Sequence, residues 1–141
     1  MKILVPVDGS EYSLNAVDQA CALALSQGPS EVLLLAVTVE LYFLEDQGHY
    51  VTEKMELQAE AALARAKDRA LQKGVAPVSL IARGTSVAEE VVRVAEAENV
   101  DLLVIGSRGL GAKTASFLGG TASKVVTYSP CSVLVVKQKE R

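Results

Sequence analysis

Short apolar runs alternate along the chain with longer stretches in which apolar residues recur at helical spacing. The apolar runs are bounded by polar or turn-forming residues, which is typical of strands buried on both faces of a parallel sheet. They predict five strands, at residues 3–7, 32–37, 78–82, 102–105 and 133–136. The pattern therefore predicts a chain in which strands and helices alternate from end to end.

Capping residues indicate where the helices between these strands begin. The first predicted helix follows Asp8-Gly9-Ser10, the second begins at Thr52, the third at Ser86 and the fourth at about Thr121. Side-chain oxygens at such positions accept hydrogen bonds from first-turn N–H groups. Residues 39–51 show neither periodicity, and we predict a loop or a mobile arm there.

This alternation favours an α/β fold, a doubly wound five-stranded parallel sheet with helices on both faces. The chain has 141 residues, of which 50% are hydrophobic, so we expect a single domain, residues 1–141, with one core. The order of the strands within the sheet cannot be read from periodicity.

Composition excludes several classes of protein. The net charge is −3, and the 14 basic and 17 acidic residues are interspersed, so no broad positive field is expected to hold nucleic acid or an anionic membrane. The apolar runs are far shorter than the roughly 18 residues of a membrane helix. We therefore expect a soluble cytoplasmic protein, in which the isolated Cys21 and Cys131 are buried thiols.

The candidate chemistry lies in a glycine-rich stretch that follows the fourth predicted strand. Gly106, Gly109 and Gly119 precede a helical pattern that begins near Gly120 and Thr121. Glycines permit positive φ and a close approach of the backbone to a ligand. The N–H groups at a helix start carry partial positive charge, so this stretch predicts an anion-binding cradle.

Two common phosphate motifs do not fit this stretch. A P-loop requires Lys directly after its last glycine, but Gly111 is followed by Ala112 and only then by Lys113. A dinucleotide fingerprint requires a third glycine and an acidic residue about twenty positions later, and neither follows Gly109 and Gly111.

The spacing G-x2-G-x9-G, at Gly106, Gly109 and Gly119, resembles the nucleotide motif of the universal stress protein family. The opening sequence V-P-V-D-G-S and Ser129-Pro130-Cys131 before the last strand extend the resemblance over essentially the whole chain. One position departs from the family's pattern, because its ATP-binding members have Ser or Thr where this chain has Gly120.

The resemblance implies the strand order 3-2-1-4-5 and a site for ATP, with Mg²⁺, between the first and fourth strands. It implies that Pro6, Val7 and Asp8 line the adenosine pocket and that the backbone of Val37 meets the adenine edge. It also implies a homodimer through the fifth strand, from Val133 to Val136.

Two readings of the polar site residues remain open. Asp8 can accept hydrogen bonds from a ribose diol or can form the turn before the first helix. Arg108 and Lys113 can supply charge to phosphates or can be solvated surface residues. Ligand binding by Gly106, Gly109, Gly119, Gly120 and Thr121 competes with a reading of the glycines as ordinary turns.

We interpret the sequence as a nucleotide-binding regulatory protein that acts through conformation or partner binding. A slow ATP hydrolase and a nucleotide-free dimeric module of the same fold are the alternatives. No catalytic residue can be nominated, since His49 is the only histidine and lies in a polar segment.

Overall fold

The computed structural model describes residues 1–40, 45–109 and 118–138, and of residues 45–52 it describes the backbone alone. Strands and helices alternate strictly within these ranges. The elements are β1 (Lys2–Pro6), α1 (Glu11–Ser26), β2 (Glu31–Val39), α2 (Glu45–Gln72), β3 (Val78–Gly84), α3 (Val87–Ala97), β4 (Leu102–Gly106), α4 (Gly120–Tyr128) and β5 (Ser132–Val136).

The five strands form one parallel sheet in the order β3-β2-β1-β4-β5. Both the doubly wound fold and the expected strand order are therefore confirmed. β1 lies in the middle of the sheet, where Ile3 is opposite Val32 of β2 on one side and Leu102 of β4 on the other.

The core has two layers, one on each face of the sheet. Ile3 and Val5 of β1 pack with α1 and α2, whereas Leu4 packs on the opposite face with α3 and α4. All three residues have no exposed surface. Because successive strand residues point to opposite faces, burial on both sides explains why β1 is a continuous apolar run.

The second helix differs from its predicted start. It begins at Glu45 rather than at Thr52, so residues 45–51 are helical rather than a loop; residues 41–44 of the predicted arm lie outside the described residues. One Thr cap contributes only about 1 kcal/mol, whereas lengthening an existing helix adds a hydrogen bond per residue without a new nucleation cost. The local capping signal was therefore overridden.

The third helix begins as predicted. The Ser86 side chain accepts a hydrogen bond of 3.4 Å from the backbone N–H of Glu89. Both cysteines are free thiols. Cys21 is buried as predicted, but the prediction of a buried thiol is wrong for Cys131, which is only partly buried. Within the described part of the chain, no helix combines the length and the apolar character needed to cross a bilayer.

Candidate functional site

A cleft opens at the carboxyl ends of β1 and β4, the two neighbouring strands at the centre of the sheet. β1 leads into α1 on one face, while β4 leads towards α4 on the other. Diverging connections of this kind leave a crevice where doubly wound sheets bind ligands. The cavity volume is about 480 Å³, within the range of small-molecule sites, roughly 300–1,000 Å³.

The structure brings every predicted site residue to this cleft except Lys113, which lies outside the described residues. The residues that line it are Pro6, Val7, Asp8, Val37, Gly106, Arg108, Gly109, Gly119, Gly120 and Thr121. Their predicted roles toward a ligand remain proposals, but their convergence from four separate stretches of the chain is an observed property of the fold.

The glycines of the motif serve close approach rather than positive φ, contrary to part of the expectation. Within the ranges that the structure describes, the glycines with positive φ are Gly9, Gly28 and Gly74. A Cβ on Gly106 would lie 2.7 Å from the carbonyl oxygen of Tyr12 in α1. Gly106 is therefore required by the packing of α1 against β4.

Gly109 and Gly119 are restricted by other neighbours. A Cβ on Gly109 would lie 2.5 Å from Oδ2 of Asp8, and a Cβ on Gly119 would lie 3.2 Å from the Ser107 carbonyl oxygen. The first contact joins the turn after β4 to the turn after β1 across the cleft. A side chain at residue 109 would push against the carboxylate that we expect to bind the sugar.

Asp8 forms the turn before α1, which was the alternative to a role in binding the ribose. Its Oδ1 accepts a hydrogen bond of 2.9 Å from the Ser10 N–H, and its own N–H donates to Ser13 Oγ at 3.4 Å. The helix cap itself is Ser10, whose Oγ accepts from the Ser13 N–H. Asp8 is nevertheless exposed and lines the cleft, so turn formation leaves the ligand role in place.

The start of α4 supplies the electrostatic side of the cleft. Gly119 occupies the N-cap position without a side-chain cap, and the first turn contains no acidic residue. Apart from its own helix backbone and chain neighbours, no atom of the described residues lies within 4 Å of the position that a Cβ on Gly120 would take. The first-turn N–H groups of such a helix attract anions, and Arg108 lines the same cleft.

One wall of the cleft, contributed by α2, was not predicted from the sequence. Met55, Ala59 and Ala62, together with Gln58, line the cleft from this helix. Positions 55, 59 and 62 follow helical spacing, so one face of α2 could be predicted. That this face covers the cleft could not be predicted, because it depends on where the helix crosses the sheet.

Comparison with known proteins identifies the family. A family model described as the universal stress protein family matches residues 1–137. The chain belongs to the universal stress protein family. Among relatives in this family, the universal stress protein YxiE of Bacillus subtilis (strain 168) is 32% identical, and the alignment covers 96% of this chain and 98% of that protein.

Solved structures agree with the family assignment. The structure of the hypothetical protein MJ0577 has a TM-score of 0.86 and 30% identity, covering 99% of this chain and 97% of that chain. A crystal structure of a universal stress protein in complex with cAMP has a TM-score of 0.73 and 27% identity, covering 96% of each chain. The chain thus shares the fold of the universal stress proteins over almost its whole length.

Proposed function

We propose that this universal stress protein binds an adenine nucleotide, ATP with Mg²⁺, in the cleft between β1 and β4, and acts through conformation or partner binding. The observation that carries this proposal is the convergence of Asp8, Gly109 and the uncapped start of α4 on one cavity. Asp8 supplies a carboxylate that can accept from a sugar, Gly109 leaves room beside that carboxylate, and the start of α4 supplies N–H donors for phosphate.

The residues present fit the three parts of a nucleotide. Val37, Met55 and Ala59 provide an apolar region for the base. The Asp8 carboxylate can accept hydrogen bonds from the ribose hydroxyls, and the N–H groups at the start of α4 can donate to phosphate oxygens. Mg²⁺ commonly binds through substrate phosphates with few protein ligands, so its place would be beside the phosphates near Thr121.

The family comparison supports the ligand class. One member of similar structure was crystallised in complex with cAMP, which is an adenine nucleotide. ATP rather than a shorter nucleotide is the finer part of the proposal, and Gly120 bears on it directly because it lacks the hydroxyl expected at that position. A cytoplasmic location also belongs to the proposal.

The test is to release and identify any bound nucleotide and then to titrate the empty protein. Purified protein is denatured, the supernatant is analysed by mass, and ATP, AMP and inorganic phosphate are titrated by calorimetry with and without Mg²⁺. We expect adenine nucleotides to bind and phosphate alone to bind far more weakly. Absence of binding by all adenine nucleotides would refute the proposed function.

We also propose that two copies of the chain pair through β5. This strand is the last in the sheet and hydrogen-bonds only to β4 among the described strands. Leu134 is 37% exposed, and Val126 and Tyr128 on the adjacent α4 are more exposed still. An apolar edge strand without charges or an internal Pro invites pairing with another chain, and a two-fold axis lets the same strand serve both copies.

A further inference from the structure

The turn that carries Asp8 is held by α2. Arg65 Nη1 donates a hydrogen bond of 2.8 Å to the carbonyl oxygen of Gly9. Its Nη2 lies 3.5 Å from Glu11 Oε1. One helical turn earlier, Ala62 faces the same residue, since a Cβ on Gly9 would lie 3.8 Å from the Ala62 Cβ. α2 therefore contacts the Asp8-Gly9-Ser10 turn at two successive positions on one face.

A single peptide plane connects Arg65 to the Asp8 carboxylate. The Gly9 carbonyl and the Ser10 N–H belong to the same planar peptide unit, and in a trans peptide they point in opposite directions. Arg65 binds the carbonyl end, while the N–H end donates to Asp8 Oδ1 at 2.9 Å. Rotation of this plane would break both hydrogen bonds together.

The orientation of the Gly9–Ser10 peptide plane depends on these hydrogen bonds, because the backbone at Gly9 is flexible. Gly9 has φ +87°, a region that glycine enters without steric cost and leaves as readily. Two groups restrain the plane from opposite sides, the Arg65 guanidinium and the Asp8 carboxylate. The Arg65 side chain is 55% exposed, so this restraint lies in contact with solvent.

We propose that Arg65 is a positioning residue for sugar recognition, because it fixes through the Gly9–Ser10 peptide the orientation of the carboxylate that binds the ribose. This inference rests on the proposed nucleotide site. It assigns a second task to α2, which lines the cleft with Met55 and Ala59 and also holds the turn through Arg65. The ligand contacts of Asp8 thus depend on a residue of α2 that follows it by more than fifty positions.

The test compares AMP with 2′-deoxy-AMP, which differ only in a hydroxyl at the sugar. Calorimetry on the wild type should show tighter binding of AMP. Arg65→Met should weaken AMP roughly threefold to tenfold, the effect of one lost hydrogen bond at an exposed site, and should weaken 2′-deoxy-AMP less. The quantity compared between variants is the ratio of the affinity for AMP to the affinity for 2′-deoxy-AMP. Asp8→Ala should reduce this ratio. Adding Arg65→Met to Asp8→Ala should reduce the ratio no further, because the two residues act through one contact.

Two control variants separate positioning from general stabilisation. Glu11→Gln removes the ion pair but leaves the bond from Arg65 to Gly9, so the ratio should remain that of the wild type. Arg69→Met removes the ion pair of 2.7 Å between Arg69 and Asp18, which joins the same two helices away from the cleft. It should lower the melting temperature without changing the ratio.

The outcomes decide between the two proposals. A wild-type ratio in Arg65→Met, or an equal change of the ratio in Arg69→Met, would overturn the positioning role while leaving nucleotide binding intact. Failure of the wild type to bind AMP would instead refute the proposed function, and the inference with it. If Arg65→Met does not fold, Arg65→Lys is used for the same comparison. An ammonium group can restrain the carbonyl only through a single point charge. The affinity ratio should therefore fall in Arg65→Lys, but by less than is expected for Arg65→Met.

Discussion

The individual glycines of the predicted phosphate motif have different tasks. Gly106 makes room for the α1 backbone and Gly109 makes room for the Asp8 carboxylate, whereas a Cβ on Gly120 would meet no neighbouring element among the described residues. Only Gly109 and Gly120 can be changed without a collision against the main chain. Substitutions at these two positions can therefore test the site separately from the fold.

Gly120→Ser should tighten ATP more than AMP. The substitution adds a hydroxyl at the start of α4, where the structure leaves room for it, and a hydrogen bond to a charged group is worth roughly 1.5–3 kcal/mol. This corresponds to about one to two decades in affinity. Calorimetry with both nucleotides measures the effect, and equal gains for ATP and AMP would show that residue 120 does not face the outer phosphates.

Gly109→Val should abolish nucleotide binding with little loss of stability. The branched side chain would meet the end of the Asp8 side chain, which can turn away, rather than the backbone. Both the displaced carboxylate and the occupied cleft oppose the ligand. Calorimetry and thermal denaturation measure the two effects, and unchanged affinity would place the nucleotide elsewhere.

The two thiols should differ in reactivity. Burial, and then the nearby Asp18 carboxylate, raise the pKa of Cys21 above its ordinary value of 9.0, whereas Cys131 is only partly buried. Iodoacetamide at pH 8 should therefore modify Cys131 first, since the thiolate is the reactive form. Peptide mass mapping measures the order, and Cys131→Ala should leave a chain that reacts only on unfolding.

The same raised pKa sets a pH dependence of stability. Folding favours the protonated Cys21 thiol, so this contribution is complete below pH 9.0 and declines as the pH rises above that value. Urea denaturation between pH 7 and pH 10.5 should show a smaller loss of stability in Cys21→Ala than in the wild type. An equal loss in both would contradict a role of Cys21.

Elements were predictable from the sequence where their limits depend on neighbouring residues. The start of α3 depends on the hydrogen bond between Ser86 and Glu89, which lie three positions apart, and the sequence located it. The start of α2 depends on how far helical residues extend before Thr52, and a single capping residue predicted it wrongly. Contacts between elements, such as those of α2 with the cleft, have no local signal at all.

Two matched glycine-to-alanine variants, one at each end of the glycine motif, should distinguish the effect of side-chain packing from the effect of helix propensity. Gly106→Ala places a methyl group 2.7 Å from the Tyr12 carbonyl oxygen and should destabilise the fold by about 1–3 kcal/mol, as overpacking does. Gly120→Ala lies in open space at the first turn of α4 and should be neutral or stabilise by up to about 1 kcal/mol. Urea denaturation measures both, and equal effects would contradict the packing role of Gly106.

For the molecule as a whole, the sequence alone predicted the type of fold but not the arrangement of its strands. The alternating pattern gives a parallel sheet with helices on both faces. The order β3-β2-β1-β4-β5, which brings Asp8 to Gly109, came from the family resemblance. The reason is physical, since the five strands are built largely from similar apolar residues and none of them specifies its neighbour.

Val135→Pro should convert a dimer into a folded monomer. The carbonyl oxygen of Val136 accepts from the Ser107 N–H at 2.9 Å and so points to β4. Because backbone groups of successive strand residues point in opposite directions, the N–H of Val135 points to the outer edge. Proline there removes a donor to the partner and none to β4.

Sedimentation at micromolar concentration measures the change, with Val135→Ala as the control that keeps the N–H. A monomeric wild type, or a dimeric proline variant, would defeat the proposed pairing.

The contact between Asp8 and Gly109 has a consequence for the divergence of this family. A residue with a side chain at 109 is excluded only while a carboxylate occupies position 8, whereas a side chain at 106 is excluded by the main chain of α1. Lineages that abandon the ligand are thus expected to lose Asp8 and Gly109 together and to retain Gly106. An alignment of such sequences would then show positions 8 and 109 changing together while Gly106 stays the same. Conservation of Gly106 would therefore indicate common descent and not nucleotide binding.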